Sequence, residues 1–77
     1  MTKTEWVCKF KSKLIDLMNR QHVSQRELAR RSNLSVSRIN DYINGRSIPS
    51  AYAVINISYA LGINISELID FDERIHK

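Results

Sequence analysis

Residues 29–39, ARRSNLSVSRI, begin and end like a helix but carry Ser-Asn-Leu-Ser in the middle. Serine and asparagine hydrogen-bond to nearby backbone and so compete with a helix interior. Asparagine also tolerates the left-handed conformation better than other non-glycine residues. Asn33 is therefore placed to end one helix as its C′ residue, and Ser35 to cap the next. Leu34 lies between them and anchors the break. The stretch upstream has an equally clear start. Ser24-Gln25-Arg26-Glu27 has the form of a capping box, with Ser24 as N-cap and Glu27 reaching back, and Val23 and Leu28 are spaced as a hydrophobic staple. The pattern predicts two short helices, 24–32 and 35–44, joined by a tight turn: a helix-turn-helix.

The rest of the chain reads as helix too. Two glycines and one proline leave little room for tight turns. A first helix is predicted over 4–20, because Val7, Phe10, Leu14, Leu17 and Met18 recur at three- and four-residue spacing and mark one buried face. Trp6 and Ile15 lie at its margins. Gly45 ends the third helix, Ser50 caps a fourth over 51–61, and Gly62 stops it. Asn64-Ile65-Ser66-Glu67 is a second capping box and opens a short helix over 65–70, with Ile63, Leu68 and Ile69 closing the core and a tail at 71–77. At 77 residues, one all-α domain spanning 1–77 is expected.

Charge is uneven along the chain. Residues 1–50 hold ten Lys and Arg against four Asp and Glu, a local charge of +6, while residues 51–77 carry −2. A basic front half suits a polyanion, and nucleic acid is the first candidate. No apolar run has membrane length, and no signal-peptide core is present. Cys8 is the single cysteine, so it forms no internal disulfide, and beside Lys9 it reads as a small packed residue rather than a nucleophile. His22 and His76 are far apart with no thiol near either. Neither a metal site nor a cofactor is expected. The chain also lacks a Gly-rich phosphate loop and a clustered Ser/His/acid set, so no enzyme is expected.

The third helix carries the site. Successive helical residues turn by about 100°. Ile39, Tyr42 and Ile43 then cluster on one side, and Ser37, Asn40, Asp41 and Asn44 on the other, with Val36 at their edge. The outer side is polar, short and mostly uncharged. Serine and asparagine are weak helix formers, whereas a helix selected for solubility favours Glu and Lys. Such side chains suit base edges: Asn pairs with adenine, Ser with any base, Val36 meets a thymine methyl, and Asp41 can accept from cytosine or restrain a nearby Arg. Candidate base-reading residues are Val36, Ser37, Asn40 and Asp41. Candidate phosphate-binding residues are Gln25, in the first turn of the second helix, with Arg38, Asn44, Arg46 and Ser47 on the rim. Arg26, Arg30 and Arg31 are read as ordinary surface, since they lie away from that first turn.

The stretch VSQRELARRSNLSVSRINDYINGRSIPSAYAVINISYALGINISELI, residues 23–69, resembles the lambda-repressor/Cro-type helix-turn-helix family, also called the XRE family. The resemblance rests on Ser-Gln before Glu-Leu-Ala, a Leu-Ser turn, Ile39, Asn-Gly before a Pro-Ser loop, and Ala-Leu-Gly before a capped last helix. It implies a compact five-helix fold and a cytoplasmic protein, encoded by a bacterium or phage, that binds a double-stranded DNA operator as a homodimer. By position, Gln25 would hold phosphate and buttress the readers, Val36, Ser37 and Asp41 would face bases with Asn40 nearby, and Asn44 would bond phosphate. The chain departs from the family in three places. Its turn glycine is Asn33. Its readers are Val36 and Ser37 where Gln is common, which leaves the operator sequence open. Its positions for a buried Arg–Glu pair hold Met18 and Ile43, which are expected to touch, since apolar replacement of both partners can be neutral or stabilising.

The function expected is a sequence-specific DNA-binding transcriptional regulator of the repressor type. The alternative is a protein-interaction module of the same fold, an antitoxin or a partner bound by an anti-repressor. Tyr59, Ile65 and Phe71 are the candidate dimer-interface residues. A protein antagonist is left open.

Overall fold

The computed structural model describes residues 2–69. Asp70, Phe71 and the rest of the tail, on which part of the dimer and last-helix expectations fall, lie outside the described residues. The described residues form five helices: α1 (Lys3–Gln21), α2 (Gln25–Ser32), α3 (Val36–Ile43), α4 (Ala51–Leu61) and α5 (Ile65–Ile69). The predicted elements are all present, with ends shifted by a residue or so.

Most helix boundaries follow from caps. Ser24, Ser35 and Ser50 stand in extended backbone, and each Oγ accepts from the amide three residues on, at 3.1 Å. Such a cap contributes about 1 kcal/mol. Asn33 adopts φ 59° and its N–H donates to the Ala29 carbonyl, closing α2 as the sequence predicts. Gly45 at φ 69° ends α3. A Cβ there would meet Lys11 Cδ at 3.5 Å and Val7 Cγ1 at 3.6 Å, ordinary contact distances. Backbone conformation, rather than space, therefore favours glycine at this turn.

The capping boxes differ from expectation in detail. Glu27 does not serve the back half of its box; its carboxylate takes Arg30 and Arg31 instead. At α5 the back half forms, Asn64 N–H donating to Glu67 Oε2 at 3.3 Å, while the Glu67 amide donates to the Asn64 carbonyl. A complete box occurs where none was predicted. Thr2 and Glu5 bond each other's backbone reciprocally and start α1. His22, at φ 56°, is the second non-glycine residue in the left-handed region, and it ends α1.

The core is one cluster fed by every helix. Phe10, Leu14 and Met18 of α1 meet Leu28 and Ala29 of α2, Ile39 and Tyr42 of α3, Ala53, Val54, Ile57 and Leu61 of α4, and Leu68 of α5. Leu34, Ile43, Ile63 and Ile69 pack against it, partly buried. Leu34 thus anchors the turn as expected. Met18 and Ile43 line one shallow surface cavity with Val23 and Gln25. Two side chain–backbone bonds tie distant parts together. Gln21 Nε2 donates to the Leu61 carbonyl at 2.8 Å, and Asn56 Nδ2 to the Ser32 carbonyl at 3.0 Å. Cys8 is exposed, so it is not the packed residue its neighbours suggested.

Candidate nucleic-acid interface

Helix α3 is held from behind. Ile39 is fully buried and Tyr42 nearly so. The Tyr42 ring meets Phe10 of α1 edge to face, with centroids 6.2 Å apart, and Phe10 stacks on Trp6 at 5.5 Å. Edge-to-face and offset-stacked rings have defined geometry, so this chain of three fixes the rotation of α3 about its own axis. What that rotation turns outward is the face predicted from the helical wheel. Val36, Ser37, Arg38 and Asn44 are exposed, and Asn40 and Asp41 are half-buried. Val36 keeps 46% of its surface in solvent, which for an apolar side chain at the start of a helix leaves it free to touch a partner.

Five of the predicted site residues, Gln25, Asn40, Asp41, Asn44 and Arg46, join in one hydrogen-bonded network, and Val36, Ser37, Arg38 and Ser47 are not part of it. Gln25 Oε1 of α2 accepts from Asn40 Nδ2 of α3 at 3.2 Å. Asn40 Oδ1 accepts from Asn44 Nδ2 at 3.2 Å and from Arg46 Nη2 at 2.6 Å. Asn44 Nδ2 also donates to the Asn40 carbonyl at 2.9 Å. Arg46 Nε donates to Asp41 Oδ1 at 3.1 Å, closing an ion pair. The restraint of an arginine by Asp41, one of two roles open to it in the sequence, is therefore realised, and the arginine is Arg46. Ser47 follows Arg46 and is exposed. Arg26, Arg30 and Arg31 are exposed, and the last two are held by Glu27, whose carboxyl they keep below its ordinary range through hydrogen bonds, Arg30 foremost.

Sequence reasoning missed Lys11. Its stem runs beside Gly45, and with Lys3 it lines a cleft shared with Asn44, Arg46 and Ser47. Two α1 lysines thereby join the positive rim of the α3 end. The signal was present only as a lysine off the buried stripe of α1. The dimer candidates divide: Tyr59 is 84% exposed and Ile65 is 42% exposed, and Phe71 lies outside the described residues. Tyr52 and Ile55, at helical spacing from Tyr59, are exposed as well and were not singled out from sequence. Among the described residues no group of three His, Cys, Asp or Glu side chains converges as a metal site, and no helix is long and apolar enough to cross a membrane.

The helix-turn-helix family profile matches residues 14–68, which takes in part of α1 and nearly all of α2 to α5. Among solved structures, the restriction-modification controller protein C.AhdI from Aeromonas hydrophila is similar. It shares 29% identity over 80% of this chain and 94% of its own, with a TM-score of 0.78. A comparison with curated proteins gave no match.

Proposed function

The chain belongs to the helix-turn-helix family, and from that premise we propose that it is a sequence-specific regulator of transcription that binds double-stranded DNA and acts as a repressor by occupying promoter DNA. The observation that carries this is the outward face of α3: an apolar Val36 and a free Ser37 at its start, on a helix locked from behind by Ile39 and Tyr42. A recognition helix of this kind enters the major groove with its first residues against base edges. In this function Val36 and Ser37 contact bases directly. Gln25, at the first turn of α2, and Arg38, Asn44 and Ser47 on the rim hold phosphates and fix the register. Lys3 and Lys11 add positive charge along the same rim. The similarity to a protein titled a restriction-modification controller supports a regulatory role. The function needs no cofactor, and a cytoplasmic site of action follows from it, with residues 1–77 acting as one unit.

A homodimer completes the proposal. Tyr52, Ile55 and Tyr59 recur on one face of α4 and stay exposed, with Ile65 also exposed at the start of α5. A second copy would cover them and set two recognition helices against two half-sites. Selection of bound duplexes from a random library tests the function, at about 150 mM salt with excess competitor DNA. Enrichment of an inverted repeat, its half-sites about 10 base pairs apart centre to centre or a multiple of that, is the expected result. Weak, salt-sensitive binding with no enriched sequence would overturn it and favour the interaction-module alternative.

A further inference from the structure

Arg46 lies beyond the end of α3, where a basic residue of this fold is naturally read as a phosphate contact. Its side chain does something else. It turns back along the helix and bonds residues five and six positions earlier, Asp41 and Asn40. Both belong to the outer face, so the guanidinium lies across that face rather than out on the rim. The side chain remains 57% exposed, and a partner can reach it.

The geometry of the guanidinium decides which partner. Asp41 holds Nε and Asn40 holds Nη2, so one edge of the fork is engaged. Among the described residues Nη1 has no acceptor. Both Nη1 hydrogens and the second Nη2 hydrogen remain, and the exposure of the side chain gives a partner access to the Nη1–Nη2 end, the donor pair that matches guanine O6 and N7. A phosphate could also take that fork, but the electrostatics oppose it. Asp41 places a carboxylate 3.1 Å from Nε, which offsets the charge that a backbone contact depends on and repels a phosphate beside it. A tether of this kind gives up charge and gains orientation, and orientation is what base readout needs. Asn40 is committed in turn. Its Oδ1 accepts from Arg46 and Asn44, and its Nδ2 donates one N–H to Gln25, so the oxygen has both lone pairs taken and the amide cannot pair bidentately with adenine.

We propose that Arg46 is a base-reading residue that recognises a guanine in the major groove, and that Asp41 and Asn40 are the positioning residues that aim it. The proposal rests on the DNA-binding function above and adds one property of the operator: each half-site contains a guanine specified by Arg46. Gln25 anchors the far end of the network to α2, so the orientation of Arg46 is tied to the docking of the whole helix pair.

The test is the same duplex selection, run on the wild type, Arg46→Ala and Asp41→Asn, with affinity for the enriched site followed against salt. The expected result is a guanine in the wild-type half-site whose preference falls at least about tenfold in Arg46→Ala. The preference at that same position should weaken in Asp41→Asn, even though that variant binds DNA of all sequences more tightly. If Arg46→Ala keeps the wild-type motif, loses affinity uniformly and lowers the salt slope by about one counterion, Arg46 is a phosphate contact and the proposal fails while the DNA-binding function stands. If Asp41→Asn alters a different position, Asp41 reads a base itself and its positioning role is overturned. If the wild type enriches no motif, the DNA-binding function fails and this proposal with it. Circular dichroism of both variants, neither changed at a buried side chain, confirms that they remain folded.

Discussion

Asn33 shows how much one residue decides. A left-handed residue ends α2 and sets the angle at which α3 leaves the turn. A Cβ costs about 1–2 kcal/mol in that conformation, which glycine avoids, and the Asn33 side chain bonds not its own turn but Tyr52 Oη of α4, at 3.3 Å in an exposed position. Asn33→Ala should therefore lose about 1 kcal/mol, while Asn33→Gly should be at least as stable as the wild type. Urea denaturation midpoints compare them, and equal midpoints for the two variants would refute the conformational account. On the outer face of α3 the proposed roles sort the residues into phosphate and base contacts. Arg38→Ala should weaken binding to every duplex and reduce the salt slope by about one. Ser37→Ala should change the preference among duplexes and leave that slope alone. Binding isotherms at several salt concentrations on two unrelated sites separate the outcomes.

Helix α2 carries its own pH dependence. Hydrogen bonds from Arg30 and Arg31 lower the pKa of Glu27 from its ordinary 4.5. A carboxyl depressed by folding contributes stability that is fully present above its unfolded pKa and is lost as pH falls through the folded one. Stability should thus decline on acidification below about 4.5 partly through this group, and Glu27→Gln should flatten that part of the profile. Thermal melts between neutral and acidic pH measure it. Because the three side chains are on the surface, added salt should shrink the difference. A profile for the Glu27→Gln variant that runs parallel to the wild type across that range would remove the ion pairs from the account. Helix α3 depends on packing instead. The line Trp6, Phe10, Tyr42 fixes its rotation from behind, so its solvent face is set by α1.

For the molecule as a whole, α4 poses the question of what covers it. Tyr52, Ile55 and Tyr59 are exposed at helical spacing on α4, an arrangement of large side chains that a partner can cover. A second copy is the occupant proposed above. Tyr59→Asp should raise the dimer dissociation constant by at least about tenfold, since each buried aromatic contributes on the order of 2 kcal/mol and a buried unpaired charge adds a penalty. Sedimentation velocity over a concentration series reads this directly. A wild type that stays monomeric at high micromolar concentration would rule the dimer out. Operator affinity should fall in Tyr59→Asp as dimerisation is lost, because the two half-sites are then no longer held at once.

The helices were legible in the sequence because their signals are local. A serine cap, a left-handed asparagine, a glycine stop and a three–four apolar repeat act within a few residues of where they stand, so the spans of α1 to α5 and the outward face of α3 could be read off directly. The core assignments of Leu28 and Ile39 follow from the same local reading, and that of Leu68 from the burial preference of leucine. Side-chain partners were not legible in the same way. Glu27 had an amide and two arginines within reach, and took the arginines. Arg46 could have pointed anywhere along the rim, and it turned back to Asn40 and Asp41. Long polar side chains have several partners of similar energy, and only the packed positions of the helices choose among them. The same holds for Gln25 and Asn40, fifteen positions apart, and for Lys11 beside Gly45. Chain chemistry within a turn or two determined the elements; the approach of one helix to another decided which atoms the outer face of α3 presents.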